Sequence, residues 1–116
     1  RQALTSEDSF YVTYTPKPDP IPLSELFKLQ VEVYESSDMQ TSVSGADVSM
    51  KAEMPTHGHG MNTTPMVSDN GDGSYTIDGM KFHMNSEPGH PWTMDIGVTK
   101  DGTTDVAKFQ VIMKGN

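Results

Sequence analysis

The strongest constraint on the fold is an alternation of apolar and polar residues with a period of two, which recurs in five segments. Each segment directs its apolar side chains to one face and its polar side chains to the other, as in a strand with one buried face. No segment shows the periodicity of a helix. The predicted inward-facing residues are Phe10, Val12 and Tyr14; Phe27, Leu29, Val31 and Val33; Val48, Met50, Ala52 and Met54; Trp92, Met94, Ile96 and Val98; and Ala107, Phe109, Val111 and Met113.

A sixth strand is predicted over about 74–84, although its apolar residues change phase at Asp78-Gly79. A β-bulge at this dipeptide would absorb the extra residue. The run Asn70-Gly71-Asp72-Gly73 predicts a turn before this strand, and Lys100-Asp101-Gly102 predicts a tight hairpin. A weaker seventh strand is predicted near 64–68.

Four alternate prolines predict an extended link between the first two strands, because proline donates no hydrogen bond to a ladder. They are Pro16, Pro18, Pro20 and Pro22. A length of 116 residues suits one domain. We therefore predict an all-β protein with a single antiparallel β-sandwich of about seven strands, spanning residues 1–116.

Composition and motifs exclude several functional classes. The chain has no cysteine, which excludes a disulfide framework, an iron–sulfur cluster and a thiol nucleophile. Sixteen acidic and eight basic residues disfavour nucleic acid and anionic membranes as partners, and no apolar run is long enough to insert into a membrane. No nucleophile elbow or phosphate-binding glycine loop is present. We expect no enzymatic activity, and a small hydrolase is the least favoured alternative.

Histidine and methionine are concentrated in one part of the chain. All four histidines and six of the nine methionines lie between positions 54 and 94. Thioether sulfur with imidazole favours Cu(I), and imidazole alone can bind Cu(II). The spacing of His57 and His59 places both rings on one side of an extended segment, and Gly58 and Gly60 let the backbone bend there. The candidate metal ligands are His57, His59, Met61, Met54, His83, His90 and Met84.

A structural interpretation competes with metal binding. Met54 and Met94 continue the buried phase of their strands, and Met80 and Met84 share the phase of Phe82, so core filling explains them. A solvated turn explains the segment 57–60 as well as a ligand role does. The alternative function is therefore a metal-free β-sandwich interaction module with methionine in its core.

Several motifs follow one another in a recognisable order. They are Gly45-Ala46-Asp47-Val48, Met54-Pro55-x-His57-Gly58-His59-Gly60, Asp72-Gly73-Ser74-Tyr75, Phe82-His83-Met84 and Gly89-x-x-Trp92. Over about 25–113 this order resembles the YtkA-like domain family, which is related to FixH-type proteins. The resemblance implies a secreted or membrane-tethered bacterial domain with a single antiparallel immunoglobulin-like β-sandwich, which accompanies copper handling or copper-oxidase assembly. The chain departs from the family pattern in a longer loop over 84–92, which adds His90.

Together, the residues and the resemblance predict an exported copper-binding domain that holds or transfers copper through a His/Met site. Cu(I) is the favoured ion and Cu(II) the alternative. The resemblance implies a periplasmic or extracellular location, with a cell-surface tether as a variant of it, and a start at Arg1 instead of Met is compatible with a removed export signal or anchor. The expected partner is a copper-receiving or membrane transport protein.

Overall fold

The computed structural model describes residues 1–86 and 89–113, and within them two antiparallel sheets pack face to face. This confirms the predicted all-β immunoglobulin-like sandwich. One sheet has the strand order β1-β2-β3-β7-β6 and the other has the order β5-β4-β8-β9. The strands are β1 (Gln2–Leu4), β2 (Phe10–Lys17), β3 (Phe27–Glu35), β4 (Asp47–Met54), β5 (His59–Gly60), β6 (Met66–Asp69), β7 (Ser74–Met80), β8 (Trp92–Lys100) and β9 (Thr103–Val111).

The core forms between the two sheets from the residues that the alternation marks. The inward-facing side chains of β2, β3, β8 and β9 are buried, and Trp92, Tyr75 and Phe82 are the largest side chains without exposed surface. Met54, Met80 and Met94 are also fully buried, which confirms their interpretation as core filling. Met50 and Met113 are only partly buried against this core.

The predicted β-bulge is present, but the strand ends earlier than predicted. Phe27 pairs with Met80 and Leu29 with Ile77, so three steps along β7 match two along β3. β3 begins at Phe27 and β6 begins at Met66, opposite Asp78, so neither neighbour of β7 reaches beyond Met80, and Phe82 makes only an isolated parallel bridge with Leu23. The predicted extension to position 84 is wrong for this reason, and Met84 is 37% exposed instead of buried in the core.

The other differences concern short or edge segments. β1 and β5 were not predicted, because strands of three and two residues are too short to show alternation. Pro16 lies within β2, opposite Leu29, and not in the link. β1 pairs only with Tyr11 to Thr13, so Pro16 lies beyond the end of β1, where no hydrogen bond to that strand is required of it.

The predicted turns are confirmed. The run 70–73 connects β6 to β7, and β6 corresponds to the weaker seventh strand. Lys100 pairs with Thr103, and Asp101 and Gly102 both have positive φ angles, of 51° and 81°, as a two-residue hairpin requires.

Tyr75 connects the core to the backbone of the segment before β4. Its hydroxyl donates to the carbonyl of Val43 at 2.8 Å and accepts from the amide of Ala46 at 3.0 Å. Tyr75→Phe leaves both groups without that partner, and we expect it to lower the free energy of unfolding by about 1–3 kcal/mol. Urea denaturation measures the loss. Tyr11→Phe, at a partly exposed position, serves as the control, and equal effects of the two changes would contradict the assignment.

Asp105 joins the segment before β2 to β9. Burial alone would raise the pKa of Asp105, but hydrogen bonds from Thr5, Val106, Ser9 and Glu7 outweigh burial and lower the pKa from 3.8 to about 2. The Thr5 hydroxyl donates at 2.6 Å. A carboxyl whose pKa is lowered by folding stabilises the fold above its unfolded pKa, and this stabilisation is lost as the pH falls through the folded pKa.

We expect Asp105→Asn to lower the free energy of unfolding by about 2 kcal/mol at pH 7. The difference from the wild type should shrink as the pH falls from about 4 to about 2. Urea denaturation at several pH values measures this dependence, with Asp47→Asn at an exposed position as the control. A difference that is the same at pH 7 and pH 2 would show that the carboxylate charge is not its cause.

Candidate metal centre

The first half of the candidate site is the reversal between β4 and β5. Pro55 starts a single 3-10 turn that runs to His57, and Gly58 closes it with a φ of +68°. The Gly58 amide donates to the carbonyls of Met54 and Pro55, and glycine adopts the left-handed backbone of this C-cap without strain. The chain then returns along β4, with His59 paired to Met54. His57 is exposed and His59 is half-buried at the end of the sandwich.

The second half is the chain between β7 and β8. The Phe82 ring stacks on Trp92, with ring centroids 4.5 Å apart and an interplanar angle of 11°. The Trp92 indole donates to the carbonyl of Met84 at 2.8 Å. Further along, the buried Ser86 hydroxyl donates to the carbonyl of Val111 and accepts from the amide of Met113. These contacts fix the segment that carries His83 and Met84 against the end of β8.

The structure brings all four histidines together at this end of the sandwich. We call His57, His59, His83 and His90 the histidine cluster. Ring centroids are 5.7 Å apart for His90 and His57, 6.0 Å for His57 and His59, and 5.1 Å for His59 and His83. Two imidazoles that share one ion at a metal–nitrogen distance of about 2.0–2.1 Å have centroids up to about 6.5 Å apart. Each neighbouring pair in the cluster lies within this limit.

His59 makes the closest contact between two of the candidate ligands. Its Nε2 lies 3.0 Å from the sulfur of Met84, and its Nδ1 lies 3.1 Å from the carbonyl oxygen of Gly60. A carbonyl can only accept, so the tautomer with its proton on Nδ1 satisfies this contact and leaves a lone pair on Nε2. Metal-binding histidines are commonly oriented in the same way, with the second nitrogen bonded to a backbone carbonyl.

His83 provides the buried part of the cluster. Its Nδ1 has no exposed surface, and among the residues that the structure describes it is the one buried side-chain polar atom without a hydrogen-bond partner. The ring centroids of His83 and Trp92 lie 5.6 Å apart and those of His59 and Trp92 lie 5.7 Å apart, both in an edge-to-face arrangement. A buried nitrogen without a hydrogen-bond partner lowers the stability of the fold by about 1–3 kcal/mol. A ligand that pairs with this atom would recover part of that free energy.

Two predicted ligands lie elsewhere. Met54 is fully buried in the core. Met61 is packed against the core and lines a different groove, together with Met50 and Thr63. The structure therefore groups the four histidines with Met84 but does not group Met54 or Met61 with them.

A surface cavity of about 280 Å³ lies between the two halves of the site, lined by His57, Met84, Asn85 and His90. Asn85 was not predicted, and nothing in the sequence pattern marks it. Within residues 1–86 and 89–113, no group of three or more histidine, cysteine, aspartate or glutamate side chains is placed to hold a metal ion. A metal site here would therefore need the thioether of Met84 beside the imidazoles.

Comparisons with known proteins found no match among protein-family models, curated proteins or solved structures. The resemblance to the YtkA-like domain family thus stays a prediction from the motifs. Within the described residues, no helix has the length and apolar character needed to cross a membrane.

Proposed function

We propose that the histidine cluster and Met84 bind a copper ion, with Cu(I) favoured over Cu(II), and that the domain holds or transfers this ion. The observation that supports the proposal best is the contact of 3.0 Å between Nε2 of His59 and the sulfur of Met84. It places a nitrogen lone pair and a thioether side by side at a partly exposed position. Few pairs of neutral protein ligands are as well suited to a soft monovalent ion.

The donor types favour copper over harder cations. Thioether sulfur binds calcium and magnesium poorly, because these ions prefer several oxygen ligands. The chain has no cysteine, so a soft-metal site can use only thioether and imidazole. The net charge of −8 attracts cations in general and does not select among them.

The position of the site suits transfer without catalysis. His57 and His90 are exposed, so a second protein can approach them and exchange ligands with a bound ion. The proposed partner is a copper-receiving or membrane transport protein. The proposed location is periplasmic or extracellular, which agrees with the absence of cysteine and with the family resemblance.

Removal of the thioether tests the ligand set. Met84→Leu preserves the size of the side chain and removes its sulfur, and we expect Cu(I) affinity to fall by about 10- to 100-fold. Competition with bicinchoninate, a chromophoric Cu(I) chelator, measures the affinity. The matched control is Met66→Leu, since Met66 is 70% exposed on β6 of the other sheet. Equal affinities of Met84→Leu and the wild type would exclude Met84 as a ligand.

Removal of the imidazoles tests the cluster as a whole. In the double variant His57→Ala/His59→Ala, Cu(I) affinity should fall by at least about tenfold, because the nitrogen donor beside Met84 is lost. The same competition assay applies. Equal and weak affinity of the wild type and the double variant would disprove the proposed function.

Thermal unfolding separates copper binding from the metal-free interaction module. An ion that binds only the folded state raises its stability by about 2.7 kcal/mol at a free concentration of 100 times Kd. We expect the wild-type Tm to rise by several degrees in Cu(I), followed by circular dichroism, and the Tm of His57→Ala/His59→Ala to rise much less. An unchanged wild-type Tm would favour the interaction module.

A further inference from the structure

We infer, on the basis of the proposed function, that a Cu(I) ion moves along the histidine cluster from an outer pair of residues to an inner group. The outer pair, His57 and His90, accepts a Cu(I) ion from its donor. The inner group, formed by His59, His83 and Met84, retains the ion. Arrival and retention thus depend on different side chains of the same cluster.

The order of the rings supports a path. Along the series His90, His57, His59 and His83, successive ring centroids are 5.7, 6.0 and 5.1 Å apart. Each separation is short enough for two neighbouring imidazoles to share an ion for a time. An ion can therefore pass from ring to ring while it keeps at least one nitrogen ligand.

Burial changes in the same order. His90 and His57 are exposed, whereas His59 and His83 are half-buried; Met84, which is 37% exposed and contacts Nε2 of His59, lines the surface cavity with the outer pair. At the inner end, Nδ1 of His83 is fully buried and unpaired. A donor molecule can contact the exposed rings of His57 and His90 directly. Nδ1 of His83 gains a partner only when a ligand binds beside it.

The inner group is also the more rigidly held. The carbonyl of Gly60 orients His59, and the indole of Trp92 holds the backbone of Met84. Ligands fixed in advance lose less conformational freedom on binding and release an ion more slowly. His57 instead belongs to a single 3-10 turn whose side chains are all exposed, which suits a transient ligand.

The test separates the rate of copper uptake from the equilibrium affinity. Stopped-flow absorbance follows transfer of Cu(I) from its bicinchoninate complex to the full chain, and equilibrium competition gives the affinity. For the outer variant His57→Ala/His90→Ala, we expect uptake to slow by at least about tenfold, with a loss of affinity smaller than that of the inner variants.

The inner variants should behave in the opposite way. For Met84→Leu and for His83→Gln, we expect affinity to fall by at least about tenfold, and uptake to slow by less than about threefold. Met66→Leu again serves as the matched control for the loss of a thioether. Circular dichroism confirms the fold of each variant, and His57→Gln/His90→Gln replaces the alanine pair if that pair unfolds.

Three results would overturn an inference, and they can be told apart. Outer variants that lose as much affinity as the inner ones would show one shared ligand shell and no path. Outer variants with unchanged uptake would show that copper reaches the inner group by another route. A wild-type protein that takes up no Cu(I) would disprove the proposed function itself, before any comparison of variants.

Discussion

The stack of Phe82 on Trp92 is the contact on which the candidate site depends. Phe82 lies just beyond β7 of the five-stranded sheet, and Trp92 begins β8 of the four-stranded sheet. Their rings therefore join the two layers at the end where the histidines meet. Because neither ring has exposed surface, the stack also shields the inner side of the cluster from water. Because the stack holds Phe82 and the Trp92 indole holds the carbonyl of Met84, His83 and Met84 lie opposite β5.

The period-two alternation was sufficient to predict the sandwich and most of its core, because each long strand buries one face. It also located the bulge, since an extra residue in β7 shifts the apolar phase at Asp78-Gly79. The alternation did not predict where β7 ends, because strand pairing depends on residues that are distant in sequence. Met84 keeps the phase of Phe82, yet it lies outside the sheet because β3, the neighbour of β7, begins only at Phe27. A local pattern carries no information on where a neighbouring strand begins.

The candidate site could be predicted only in part, because some of its features are local in sequence and others depend on the packing of distant segments. The spacing of His57 and His59 and the glycines between them are local features, and they indicate a reversal that presents both rings. The approach of His83 and His90 depends on the order of strands in two sheets and on the stack at Trp92. Methionine was ambiguous in sequence, since core filling and metal binding favour the same residue. Burial separates the two residues: Met54 is enclosed by the core, whereas Met84 reaches the surface, where it is accessible to the proposed ion.

The position of Trp92 has an optical consequence. The chain has one tryptophan, and its indole lies within 6 Å, between ring centroids, of both His59 and His83. Indole emission from this protein therefore originates entirely at the inner end of the histidine cluster. Excitation that is selective for tryptophan over the four tyrosines therefore makes the unlabelled protein report changes in the charge or geometry of those two rings.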